Sequence, residues 1–255
     1  MIKKCFIKTL FVLVIIVFSS LLQACSVSRF FFGSDGSVSM EDRIRNARLL
    51  NPRNFEIRQL PDVQLLMTPE VEKEMRLFVR DRGSLRLGLR NRKRYLKMMK
   101  EVFRDEGVPS RLINLAFVES KYQAAAESSA GAVGVWQFMK DTAVLYGLEI
   151  NFSEDQRKDP ILSTIAAARY LYDLYVRFND WYLALAAYNR GPSAIEDAMR
   201  RTGAKTFFEL ARSGSLCSET RRYVYKFLAI SIILEDYDAG IKKHAVLDRD
   251  FYLNA

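Results

Sequence analysis

The side chain best placed to do chemistry in this sequence is the carboxylate of Glu119. In the segment after Pro109, Leu112, Leu115, Ala116 and Glu119 recur at helical spacing, so the carboxylate shares one helix face with apolar side chains. Apolar surroundings raise the pKa of a carboxyl group, so that it still carries a proton near neutral pH. A carboxyl group of this kind has the property that a general acid for a glycosidic oxygen needs. The alternative is a structural glutamate paired with one of the chain's many arginines, and this segment alone does not separate the two.

The sequence supplies little material for other kinds of catalysis. Of three cysteines, Cys5 and Cys25 lie near the N-terminus, which leaves Cys217 alone and allows no disulfide after residue 25. The only histidine is His244, in a polar C-terminal segment. Nucleophilic schemes built on histidine and multi-histidine metal sites therefore lack their components. We expect no metal and no cofactor.

A series of motifs follows Glu119 in a fixed order. Its members are Glu119-Ser120, Ser128, the glycine-rich segment 131–139, Tyr146-Gly147-Leu148, and the Ala-Ala-Tyr-Asn-Arg-Gly segment 186–191. In letters and spacing the series resembles the soluble-lytic-transglycosylase (goose-lysozyme-like) domain. The flanking segments 108–112 and 219–224 resemble the membrane-bound lytic murein transglycosylase D type, so that the resemblance covers about residues 62–235.

This resemblance implies an all-α, lysozyme-like catalytic domain that cuts peptidoglycan during cell-wall remodelling. The implied enzyme is a carbon–oxygen lyase that breaks the β-1,4 bond between N-acetylmuramic acid and N-acetylglucosamine without water and leaves 1,6-anhydromuramic acid ends. Glu119 would protonate the bridging oxygen and then take the proton of the muramic C6 hydroxyl as that oxygen attacks C1. The implied substrate-binding residues are Ser128, Gln137, Met139, Tyr188, Asn189 and Tyr223, with Tyr223 close to Glu119.

Three positions depart from the family pattern. Val135 stands where leucine is usual, Arg190 where a small residue is usual, and Pro192 begins an altered continuation of the last motif. The glycines of the motifs are kept, so we expect altered subsites and retained chemistry. No segment up to Ala255 resembles a LysM repeat, and wall targeting is expected to depend on an anchor and a basic surface.

Other interpretations of the same residues stay open. Tyr188 and Met139 could be core residues, and Ser120 is expected to form a local hydrogen bond. In a lysozyme-like hydrolase, Glu127 or Asp141 would activate water, although both are expected to be loop or cap residues. A third possibility is a catalytically silent lipoprotein that binds the wall or other enzymes.

The N-terminus has the features of a bacterial lipoprotein signal. Lys3, Lys4 and Lys8 precede an apolar run over residues 9–22 that is too short to span a bilayer comfortably. The run ends in a Leu-Gln-Ala-Cys sequence that resembles a lipobox, which predicts lipidation of Cys25. The alternative is an uncleaved signal anchor. Ser26 favours sorting to the outer membrane, so we expect a protein anchored by lipid on the periplasmic side of the cell envelope.

The chain is basic, and its predicted export limits the partners that this charge can attract. The full chain carries +9, and removal of the three signal lysines leaves +6. Such a charge favours anionic partners, including peptidoglycan and lipid headgroups, while export excludes nucleic acid. We expect a monomer whose partners are glycan strands and the membrane.

Periodicity predicts helices throughout the exported part. Helix-forming residues dominate 69–106, and Gly107 and Pro109 mark the end of one helix and the start of the next. Asp141 is predicted to cap a short helix, and Asp159-Pro160 to begin a long one. The basic run 90–100 is expected to be a solvated helix face, with a substrate-facing patch as the alternative. Period-two alternation occurs only after Lys243. The predicted organisation is a signal peptide (1–24), a tether (25–61), a helical extension (62–107), a catalytic domain (108–238) and a C-terminal tail (239–255).

Overall fold

A computed structural model of the chain describes residue 60 and residues 62–240. These residues are helical with no β-strand, and isolated bridges such as that between Glu127 and Val133 are the only β pairings in this part. The predicted all-α class is therefore confirmed. The signal segment, Cys25, His244 and the alternating segment after Lys243 lie outside the described residues.

The helices follow one another with short connections. Three of the described segments are short 3₁₀ helices, over Val63–Leu66, Ser110–Asn114 and Gln156–Lys158. The α-helices are α1 (Pro69–Arg80), α2 (Arg82–Asp105), α3 (Leu115–Ser120), α4 (Lys140–Leu145), α5 (Pro160–Phe178), α6 (Trp181–Arg190), α7 (Pro192–Thr202), α8 (Phe207–Arg212) and α9 (Ser218–Asp238).

Aspartate caps define the two helices at the centre of the motif series. The Asp159 carboxylate accepts hydrogen bonds from two backbone N–H groups in the first turn of α5, whose first residue is Pro160. Asn179 then adopts a left-handed conformation that ends α5, and the Asp180 carboxylate caps α6 in the same way. The predicted start of the long helix is confirmed.

One local prediction needs correction. Asp141 is not a cap, because Met139 occupies the cap position of α4 and Asp141 lies in the first turn, where a carboxylate interacts favourably with the helix dipole. The segment 69–106 is helical as predicted and holds two helices, because Asp81 ends α1 and its side chain accepts from the Ser84 N–H to start α2.

The C-terminal helix α9 is the centre of the core. It packs against α1, α3 and α6, while α2 packs along α5. Gly88 of α2 lies so close to the Phe117 ring of α3 that a Cβ there would fall 2.1 Å from a ring carbon. Residues 62–107 therefore pack directly on the helices that follow, and the described residues belong to one compact unit. The domain boundary at residue 107 stays a prediction.

Among residues 60 and 62–240, no helix combines the length and the apolar character that are needed to cross a membrane.

Candidate active site

Glu119 lies in the last turn of α3, directly before a tight reversal of the chain. The helix after Pro109 begins as the 3₁₀ segment Ser110–Asn114 and becomes α-helical at Leu115. Lys121 and Tyr122 then both adopt left-handed conformations, with φ of 55° and 57°. The Asn91 side chain of α2 donates a 3.0 Å hydrogen bond to the Lys121 carbonyl. Two consecutive non-glycine residues in this region are strained, and such strain persists only where surrounding contacts hold it.

The Glu119 carboxyl is half-buried and has one hydrogen-bond partner among the described residues. Tyr223 of α9 donates its hydroxyl to Oε1 of Glu119. Burial raises the pKa of Glu119 to about 7, while the hydrogen bond from Tyr223 and the positive charge of Lys226 act to lower it. Burial and the nearby Glu119 raise the pKa of Tyr223 well above 10, so the phenol keeps its proton and remains a donor.

The alternative, in which Glu119 is a structural residue paired with an arginine, does not fit this geometry. Within residues 60–240, Glu119 forms no ion pair with an arginine, and its Oε2 makes no hydrogen bond. The side chain is partly open to solvent. A carboxyl group with a pKa near neutrality, one anchored oxygen and one available oxygen can both donate and accept a proton at a bound ligand.

The glycine-rich segment forms a compact loop clamped by Arg157. The Arg157 guanidinium donates to the carbonyls of Gly131 (3.0 Å) and Phe138 (3.1 Å), and Asp155 balances its charge with an ion pair of 2.7 Å. Gly134 has φ of +87°, and a Cβ there would fall 1.9 Å from the Arg157 carbonyl oxygen. Only glycine therefore fits at residue 134 without displacement of the backbone.

This loop lies between the helix that carries Glu119 and the helix that carries Tyr188. The Ser120 hydroxyl donates to the Val135 carbonyl (2.8 Å), and it also accepts from the Gln123 N–H (3.0 Å), which is the local hydrogen bond expected for Ser120. On the other side, the Tyr188 hydroxyl donates to the Trp136 carbonyl (2.9 Å). Trp136 itself is buried and stacks on Phe103 of α2. The Glu-Ser, glycine-rich and Tyr-Asn motifs are thus joined by hydrogen bonds.

The predicted binding residues differ in how near they lie to Glu119. Tyr188 is close enough that Glu119 adds to burial in raising the pKa of its hydroxyl well above 10. The Asn189 Oδ1 accepts from the Thr220 hydroxyl (2.9 Å). Ser128, Gln137 and Met139 belong to the loop: the Ser128 Oγ accepts from the Ala132 N–H, the Gln137 amide donates to the Gly134 carbonyl, and Met139 is 48% exposed.

The two acids considered for activation of water lie at the surface. Glu127 is 62% exposed at its side chain and lies 4.0 Å from the Lys158 Nζ. Asp141 is exposed on α4. In the part of the chain that the structure describes, neither forms a hydrogen bond with Glu119 or with Tyr223.

Sequence reasoning missed Tyr170, which belongs to the same cluster. Its ring centroid lies 5.1 Å from that of Tyr188, and it contributes to the raised pKa of Tyr223. The sequence does not single it out, because α5 contains three tyrosines, Tyr170, Tyr172 and Tyr175, and only the packing shows which of them meets Tyr188.

A separate polar depression lies away from this cluster. Arg92, Lys100, Arg111, Glu235 and Asp238 line it, and its lining does not include Glu119. Ion pairs from Arg92 to Asp238 and from Arg111 to Glu235 occupy most of its charged groups. Over residues 60–240 there is also no cluster of three or more histidine, cysteine or acidic side chains able to hold a metal ion.

Comparison with known proteins gives a consistent result for the motif-bearing part. Residues 98–210 match the family model described as the transglycosylase SLT domain. The membrane-bound lytic murein transglycosylase D of Escherichia coli (strain K12) is 37% identical over 130 residues, which cover 51% of this chain and 29% of that protein. A putative tributyltin chloride resistance protein of Alteromonas sp. (strain M-1) is 36% identical over 89 residues, covering 34% of this chain and 43% of that protein. These matches confirm the resemblance indicated by the motifs.

A solved structure is also similar in part. The lytic transglycosylase Slt of Pseudomonas aeruginosa, determined as an inactive mutant, has 24% identity and a TM-score of 0.48, covering 61% of this chain and 26% of that one. The present chain spans less than a third of the length of the Escherichia coli relative.

Proposed function

We propose that this chain, in which residues 98–210 match the transglycosylase SLT domain model, cleaves peptidoglycan glycan strands as a lytic transglycosylase. The bond cut is the β-1,4 link between N-acetylmuramic acid and N-acetylglucosamine. The observation that carries the proposal is the half-buried Glu119, whose pKa of about 7 keeps a large protonated fraction at neutral pH.

Glu119 acts first as an acid and then as a base. Its proton passes to the bridging oxygen as the bond from that oxygen to muramic C1 breaks. The muramic C6 oxygen then attacks C1, and its proton returns to the Glu119 carboxylate. Atoms balance without water, because the nucleophile is already part of the substrate, and no second carboxylate is needed. The exposed positions of Glu127 and Asp141 agree with this scheme.

The other predicted residues form the glycan groove in this proposal. Tyr188 and Met139 offer apolar surface to sugar C–H faces, while Ser128, Gln137 and Asn189 offer polar groups to hydroxyl and acetamido groups. Tyr223 positions the Glu119 carboxyl through its hydrogen bond.

The mass of the products tests the proposal. Digestion of purified peptidoglycan is expected to give fragments that end in 1,6-anhydromuramic acid. A hydrolase would give reducing ends, each heavier by one water, and that product would replace this proposal with the hydrolytic one. A protein that releases nothing would fit a silent wall-binding role.

The hydrogen bond from Tyr223 should set the alkaline limit of activity. Glu119 must be protonated to act as an acid, so kcat/KM is expected to fall as pH rises through about 7. The Tyr223 hydrogen bond lowers the pKa of Glu119, so Tyr223→Phe should move this alkaline limb to higher pH. A pH profile of kcat/KM measures the shift. An unchanged limb, or one at lower pH, would contradict this role of Tyr223.

We also propose that the mature protein begins at Cys25 and is lipid-anchored, as a monomer, on the periplasmic side, with the outer membrane favoured. Support comes from the lipobox-like sequence at residues 22–25 and from the description of the Escherichia coli relative as membrane-bound. Fatty-acid labelling of the wild type and of Cys25→Ala tests the anchor.

A further inference from the structure

Three tyrosine rings form a continuous row that starts beside Glu119. The centroid of Tyr170 lies 5.1 Å from that of Tyr188 and 4.9 Å from that of Tyr146, with interplanar angles of 37° and 41°. Tyr188 belongs to α6, Tyr170 to α5, and Tyr146 follows α4. Side chains from three separate helical segments thus meet in one line, which we call the tyrosine row.

The outer rings of the tyrosine row are not fully enclosed. Tyr170 and Tyr146 are both half-buried, and Phe138 lies 6.5 Å from the Tyr170 ring. The Tyr146 hydroxyl donates to the Asp173 carboxylate (3.1 Å), which is exposed. The Tyr170 hydroxyl makes no hydrogen bond within the described part of the chain. The row therefore offers partly open ring surface, one available hydroxyl and one carboxylate.

The inner end of the row is part of the Glu119 cluster. Glu119 and Tyr170 both act, after burial, to raise the pKa of Tyr188, and Tyr170 also affects Tyr223. The rings thus lead from the proposed cleavage point towards the surface. Because the two outer rings are only half-buried, they leave apolar surface and a hydroxyl available to a ligand.

We propose that Tyr170 and Tyr146 extend the glycan groove beyond the residues that surround the scissile bond. Saccharide units of a longer strand would place their C–H faces on the two rings, and their hydroxyl groups against the Tyr170 hydroxyl and Asp173. This inference rests on the proposed function. It adds a subsite that selects strands by length.

Binding in a protein that cannot cleave separates this inference from the proposed function. Each variant is made in the Glu119→Gln background, and Kd is measured by calorimetry for an N-acetylglucosamine–N-acetylmuramic acid tetrasaccharide and for long purified glycan strands. For Tyr170→Leu and Tyr146→Leu, the preference for long over short strands is expected to fall about tenfold. Tyr170→Phe, which keeps the ring, should lose less of that preference than Tyr170→Leu.

Tyr225→Leu is the matched control. Tyr225 is also half-buried and packs edge-on against Phe207, 5.9 Å away, outside the tyrosine row. Its replacement removes a similar amount of ring packing to the row variants, and it should leave the preference for long strands unchanged. Equal loss of affinity for long and short strands in the row variants, or no loss at all, would overturn the subsite. If the wild type cuts no glycan but the length preference depends on the row, the proposed function fails while the subsite remains.

Discussion

Glu119→Gln should reduce the release of anhydromuramic fragments from purified peptidoglycan by about 10³-fold or more, because glutamine cannot donate or accept the proton. The amide keeps the size of the side chain and can still accept the Tyr223 hydrogen bond. Loss of activity would therefore reflect the missing proton and not a rearranged cleft. Rates are measured by chromatography of the soluble fragments at pH 6, where the wild-type carboxyl is mostly protonated.

Thermal unfolding of the variant tests whether lost activity comes from a lost fold. The folded-state pKa of Glu119 is raised to about 7 from its usual value of 4.5, so the folded protein favours the protonated form. The wild type therefore loses stability as pH rises from about 4.5 to about 7. Glutamine has no charge to desolvate, and the variant should melt at a higher temperature than the wild type at pH 8, with the difference gone at pH 4.

Glu127→Gln is the matched control for the same experiment. Its carboxylate lies at the surface beside Lys158 and takes no part in the hydrogen bond between Tyr223 and Glu119. The replacement should therefore leave activity within about twofold of the wild type. Retained cleavage in Glu119→Gln would contradict the proposed mechanism. Lost cleavage in Glu127→Gln would favour the hydrolytic alternative.

The helical fold could be predicted because its signals are local. Asp159 and Pro160 start α5 through the chemistry of the first helical turn, and Asp180 starts α6 in the same way. The raised pKa of Glu119 was also anticipated, since Leu112, Ala116 and Glu119 share one face. The 3₁₀ start of this segment was not, because a helical stripe of four residues does not distinguish two kinds of helix.

The supports of the site could not be predicted, because they join residues far apart in the sequence. Asn91 holds the Lys121 carbonyl from 30 residues away, and Arg157 reaches Gly131 across 26. Nothing in a single sequence indicates which of the many arginines and asparagines makes such a contact. Tyr170 was missed for a related reason, since α5 contains several tyrosines and only packing separates those that face Tyr188 from those in the core.

Gly134→Ala should be among the most destabilising single substitutions in the loop. The new Cβ would fall 1.9 Å from the Arg157 carbonyl oxygen, and a backbone atom cannot move aside as a flexible side chain can. The left-handed φ of +87° adds a further cost of about 1–2 kcal/mol for a residue with a Cβ. We expect the free energy of unfolding to fall by about 3 kcal/mol or more in total, which lowers the melting temperature by about 10 °C. Calorimetric unfolding measures the change.

Gly131→Ala separates the two costs in the same loop. Gly131 also has a positive φ, +83°, but a Cβ there would meet no atom within 4 Å. Its replacement should therefore carry the conformational cost alone, a loss of about 1–2 kcal/mol. The difference between the two variants measures how tightly the Arg157 backbone presses on the loop. Equal melting temperatures would mean that this contact relaxes freely, and the close approach of the Arg157 backbone would then not be what requires glycine at residue 134.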